Sequence, residues 1–146
     1  MYKSIKTFFG LVVLTFGICA YAEDISVSET WSLAVPPTSK NSVVYLLIQN
    51  NGSDADMLMG ATTEVSRSVE LHTTLHDHGQ MKMHHHHSLE IPGNSSFIME
   101  PGGHHIMLVD IFEPLTPGQK FDLTLNFMKG GEIKTEVEVV ELPPNN

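Results

Sequence analysis

Lys120–Val140 reads KFDLTLNFMKGGEIKTEVEVV, and its alternation decides the fold class. In KFDLTLNF, Phe121, Leu123, Leu125 and Phe127 fall on one side of an extended chain and Asp122, Thr124 and Asn126 on the other. That is the pattern of a half-buried antiparallel strand. EIKTEVEVV alternates in the same way, and Gly130-Gly131 between the two runs suits a hairpin turn.

Outward from this hairpin the same grammar continues. Turn signals recur at short intervals: Pro36-Pro37, Asn50-Asn51-Gly52, Pro92-Gly93-Asn94, Pro101-Gly102-Gly103 and Pro117-Gly118. Between them lie short runs rich in β-branched and aromatic residues, among them SVVYLLIQN, SSFIME and HIMLVDIF. Short strands with regular punctuation predict an all-β sandwich or barrel. No segment carries a helical period, and there is no internal repeat or long linker.

The N-terminal segment is of another kind. Lys3 and Lys6 precede an apolar run from Phe8 to Ile18, and Ala20-Tyr21-Ala22 precedes Glu23. A positive start, an apolar stretch too short to span a bilayer and a small-x-small site predict a secretory signal peptide, residues 1–22, cleaved after Ala22. One domain, residues 23–146, would remain. Cys19, the single cysteine, falls in the removed segment. The residue before it, Ile18, is bulky where a lipoprotein site needs a small one, so the mature form is expected to carry no membrane anchor. A mature chain without thiol excludes a disulfide framework and any Cys-ligated zinc or blue-copper centre. Loss of Lys3 and Lys6 moves the formal charge from −9 to −11, a surface that repels nucleic acid and anionic lipid and attracts cations.

LHTTLHDHGQMKMHHHH, Leu71 to His87, holds seven of the nine histidines. It sits in mid-chain with patterned sequence on both sides, unlike a purification tag. His105 and Met107 are two apart in a strand-like run, which sends both side chains to one face; Met81 and Met83 have the same relation. Thioether sulfur is soft and neutral and favours Cu(I) over zinc, magnesium or calcium, while imidazole raises affinity without adding charge. Two His and two Met would fill a tetrahedral Cu(I) shell and leave no open position for a substrate. Taken singly, a Met is more often core filler and a strand His more often a surface or hydrogen-bonded residue.

The joint spacing resembles a known pattern. His72, ten residues, Met83, twenty-one residues, then His105-x-Met107 is similar to the His-x10-Met-x21-His-x-Met signature of the periplasmic copper chaperones called PCuAC. The surrounding VELH, MKM, LEIPG, EPGGHHIMLVDI and PLTPGQKFDLTLNF follow in that family's order, from about Ala34 to Val140. The resemblance implies a single-domain, cupredoxin-like Greek-key β-sandwich or barrel without the cupredoxin cysteine. It implies Cu(I) held by His72, Met83, His105 and Met107, and delivery of that copper to the dinuclear copper subunit of a respiratory oxidase. The protein is expected to be a periplasmic monomer and not an enzyme. Two departures stand out: family members continue after MKM with a basic residue and proline, where this chain has His84–His87, and a His/Met-rich tail is replaced by ELPPNN.

His76, His78, His84, His85, His86 and His87 are therefore candidates for a second, harder site suited to Cu(II), or less selectively to zinc or nickel. The alternative is a solvated loop that is weakly metal-binding by composition alone. Among functions, a chaperone stands beside a periplasmic copper or zinc sequestering protein that uses the same ligands without a dedicated acceptor. A metalloenzyme is disfavoured by the absence of H-E-x-x-H and nucleophile-elbow patterns.

Overall fold

The computed structural model describes residues 24–144; the signal peptide read in residues 1–22, with Cys19, lies outside them. Ten strands follow in order: β1 (Ile25–Leu33), β2 (Asn41–Asn50), β3 (Asp56–Thr63), β4 (Ser66–Asp77), β5 (Gln80–His86), β6 (Leu89–Ile91), β7 (Ser95–Met99), β8 (His104–Ile111), β9 (Lys120–Phe127) and β10 (Gly131–Val140). No helix occurs among the described residues. The all-β, single-domain expectation is met.

The strands form one continuous sheet in the order β5-β4-β8-β2-β1-β10-β9-β3-β6, with β7 paired to β2. Among the described residues only the β1–β10 pairing is parallel. The sheet folds back on itself at β1. Ser28 pairs with Leu47 of β2, yet Trp31 pairs with Tyr45, so β1 carries one extra residue, and Glu29 there takes a positive φ of 53°. Such a bulge bends the strand and re-aims its side chains. Trp31–Leu33 consequently also bond β10, joining the two layers, while the Trp31 ring lies against Tyr45 at a centroid distance of 4.6 Å.

One core lies between the layers. Val44, Leu46 and Ile48 of β2, Leu71 of β4, Ile106 and Leu108 of β8, Leu123 and Leu125 of β9, and Val137 and Val139 of β10 are all at most 2% exposed. The alternation of KFDLTLNF holds: Phe121, Leu123, Leu125 and Phe127 are buried. Its hairpin closes with Phe127 opposite Gly131, whose φ of 71° suits a glycine. The loop is fastened from below by Asp56, a buried carboxylate that accepts the backbone N–H groups of Met57, Lys129 and Gly130 at 2.7, 2.9 and 2.8 Å.

Along β2 the outward partners of the core residues are Val43, Tyr45 and Leu47, and this outer face continues across β8 and β4. β8 starts after a tight turn at Pro101-Gly102-Gly103, where Gly102 has φ 82°. That turn sets which residues of β8 face outward.

Candidate metal centre

Strand register brings three histidines into one line on the outer face. His72 of β4 pairs with His105 of β8 on one side and His85 of β5 on the other. Residues directly opposite in antiparallel strands point to the same face, so the three imidazoles form one row. Ring centroids are 5.8 Å apart for His72 and His105 and 5.4 Å for His72 and His85. Tyr45 stands beside this row, its ring 6.4 Å from that of His105, with Trp31 behind it. Burial pushes the Tyr45 phenol above its ordinary pKa.

His72 and His105 are buried, at 8% and 3% exposure, and each has one nitrogen tied off. His105 Nδ1 donates to the Gly103 carbonyl at 3.1 Å; the same oxygen accepts the Thr74 N–H at 3.0 Å. His72 Nε2 donates to Glu70 Oε2 at 2.9 Å. The remaining nitrogens, His72 Nδ1 and His105 Nε2, are buried without any hydrogen-bond partner. With a single ring proton committed to the first bond, the orphaned nitrogen carries a lone pair. Burying such an atom unpaired costs about 1–3 kcal/mol, and metal coordination offsets that cost. A carboxylate holding the far nitrogen of a ligating histidine is the usual way proteins fix the ring and raise its basicity. Burial lowers the His105 pKa; the hydrogen bond to Gly103 opposes this, and His72 and His104 lower it further.

The two methionines lie on the same face at different heights. Met107 pairs with Glu70 and with Val43 and is half-buried. Met83 pairs with Thr74 and is 62% exposed. Glu70 and Thr74 are four residues apart on β4, with one strand to either side, so in a flat sheet the methionine Cα atoms would stand roughly 16 Å apart. Beyond Thr74, however, β4 has left β8 and pairs only with β5. A two-stranded ribbon takes the largest twist of any sheet, and bringing both sulfurs to one ion requires it to bend over the outer face from its root at Thr74 and Met83. A harder donor set overlaps the same place: ligand atoms of Glu70, His72 and His85 all lie within 4.8 Å of one another.

The run His84–His87 is divided by strand alternation. His85 and His87 face outward, their rings 5.2 Å apart. His84 and His86 face the other way, with rings 4.8 Å apart, beside Thr73 and His104. His76 pairs with Met81 near the end of the ribbon, and His78, in its turn, is exposed with φ 48° and hydrogen-bonded to Asp77. The six histidines read from the sequence as one candidate second site thus occupy three separate places. Glu70, Tyr45 and His104 were not singled out from sequence. Glu70 carried a usable signal, since on a strand it shares a face with His72 two residues on.

The family model described as LpqE-like, a lipoprotein family, matches residues 25–139. A protein of Leifsonia xyli subsp. xyli (strain CTCB07), named as the lipoprotein Lxx21020, is 32% identical over 126 residues, covering 86% of this chain and 75% of its own. Among solved structures, the copper-bound PCuAC domain from PmoF2 superposes with a TM-score of 0.70 at 28% identity, over 84% of this chain and 97% of that one. The Cu(I) form of DR1885 from Deinococcus radiodurans gives 0.62 at 27% identity, over 80% and 76%. With sequence match and fold in agreement, the chain belongs to the LpqE-like family, and its domain is of the PCuAC type.

Proposed function

We propose that the protein is a copper chaperone of the cell envelope that carries one Cu(I) on His72, Met83, His105 and Met107 and passes it to an acceptor such as the dinuclear copper subunit of a respiratory oxidase. The observation that carries this reading is the pair of buried, partnerless imidazole nitrogens, each on a ring whose other nitrogen is already held. Copper in the PmoF2 domain and Cu(I) in DR1885 support the choice of ion. Two neutral imidazoles and two neutral thioethers suit a soft monovalent ion. Exposed Met83, at the root of the two-stranded ribbon, is the ligand an acceptor displaces first; His72 and His105 stay fixed to the sheet. With all four positions filled by protein, the site transports the ion and performs no chemistry on a substrate.

Cu(I) competition titration of the Met83→Ala, Met107→Ala double variant tests the ligand set: affinity should fall by at least an order of magnitude, and unchanged affinity would refute it. Transfer of copper from the loaded protein to a purified oxidase-subunit domain tests the delivery step. The lipoprotein names of relatives support export. We read residues 1–22 as the leader; N-terminal sequencing of the exported protein should give Glu23, whereas a lipid-modified start at Cys19 would replace the soluble form with an anchored one.

A second reading, sequestration of copper or zinc without an acceptor, is favoured by the overlapping Glu70, His72 and His85 donors, which suit a divalent ion. Failure of transfer to any acceptor domain, together with Zn(II) binding that is lost in His85→Ala, would select it.

A further inference from the structure

The inner face of the same three strands carries a second row, one residue along from the first. His84 of β5 and His104 of β8 both pair with Thr73 of β4. His86, two residues beyond His84, turns to the same face. Its Nε2 lies 2.8 Å from Thr73 Oγ1, and His104 Nδ1 lies 2.6 Å from that same oxygen. Two imidazoles from different strands therefore aim a nitrogen at one point. His84 stands next to them, its ring centroid 4.8 Å from that of His86, with His86 6.0 Å from His104. Two imidazoles bound side by side on one ion, at metal–nitrogen distances of about 2.0–2.1 Å, hold their centroids roughly 4.5–5.5 Å apart. His84 and His86 already meet that spacing; His104 lies about half an ångström beyond it from His86 and across β4 from His84, so its ring must turn inward to join both. Thr73 is buried, His86 and His104 are half-buried, and Phe97 packs on His104 at 4.8 Å.

We propose that His84, His86 and His104 form a second metal site, on the inner face of β5-β4-β8, for a borderline divalent cation. Three neutral nitrogen donors with no sulfur among them prefer such an ion to Cu(I), and Cu(II) stands above Zn(II) in the affinity order for nitrogen ligands. The Thr73 hydroxyl holds the converging rings until the ion displaces it. His104 lies outside the four-histidine run, and His85 and His87 within it take no part. The site therefore differs from a compositional effect of the run, which would make the four histidines equivalent. It does not depend on the Cu(I) reading, because it shares no ligand with the outer face.

The test uses the mature protein with its soft site filled by Ag(I), a redox-inert stand-in for Cu(I), followed by Cu(II) titration read by electron paramagnetic resonance. Wild type should take up one Cu(II) with nitrogen ligation. The His84→Ser, His86→Ser double variant and the His104→Asn variant should each weaken that equivalent at least tenfold, while His85→Ser, His87→Ser, which removes as many histidines, should retain it within about twofold. Equal loss in both double variants, or full retention in His104→Asn, overturns the proposal. Thermal melts of each variant identify loss through misfolding. Unaltered Ag(I) affinity in His84→Ser, His86→Ser separates this outcome from any failure of the outer site.

Discussion

His105 is fixed by a backbone carbonyl and His72 by a carboxylate, and the difference makes one of the two adjustable. Gly103 offers its oxygen wherever the Pro101-Gly102-Gly103 turn is intact, whereas Glu70 can be replaced. Glu70→Gln keeps an oxygen for His72 Nε2–H but removes the charge; Glu70→Ala removes both. Cu(I) affinity should fall about tenfold in the first and toward a hundredfold in the second, the range expected for the outer partner of a metal-bound histidine. Competition titration reads the order, and equal affinity in all three proteins would show that Glu70 does not position His72. The relation of His105 to Met107 was legible as i and i+2 on a strand. Glu70 is equally legible by that rule, but no ligand pattern in the sequence contains it. His104 was not legible, because a His-His doublet shows its second member's role only when the register of β8 against β4 and β5 is known.

Among the strands, β9 and β10 were readable because each keeps a strict two-residue alternation with one face buried. β1 and β3 were not. β1 breaks its own alternation with the bulge between Ser28 and Trp31, and β3 is interrupted at Gly60, where its register to β9 shifts. β6 has only three residues, too few for a period. The β9–β10 hairpin also depends on Asp56, which lies far from it in sequence. Burial raises the Asp56 pKa, but three backbone N–H donors and Lys129 outweigh this and leave it below the ordinary aspartate value. A carboxylate with a depressed folded pKa stabilises the protein above its unfolded value of about 3.9, and that contribution is lost as pH falls through the folded value. Asp56→Ala should therefore cost about 1.5–3 kcal/mol at pH 7 by denaturant unfolding and progressively less toward pH 3. A pH-independent difference between the two proteins would contradict the assignment.

The molecule as a whole owes its stability to the core between its two layers, and none of the proposed copper ligands belongs to that core. Chelator-treated protein should retain a β-sheet circular dichroism spectrum and a cooperative melt; a random-coil spectrum would contradict this. Cu(I) at a hundred times its Kd should add about 2.7 kcal/mol, or roughly 10 °C in Tm for a domain of this size. A smaller rise in the Met83→Ala, Met107→Ala variant would tie the gain to the site. The tract His84–His87 has one more consequence, which follows from its uniformity. Within a run of four identical side chains, displacement by two positions in one direction sets another histidine in the same place and keeps the face. If β5 slides by two against β4, the place across from His72 passes from His85 to His87 in one direction and to Met83 in the other, with every side chain still on its own face. A displacement by one does the opposite and trades the inner and outer sets wholesale. Gain or loss of a histidine pair would thus keep every side chain on its own face, whereas a single histidine gained or lost would exchange the two sets, a parity rule written into the length of the repeat.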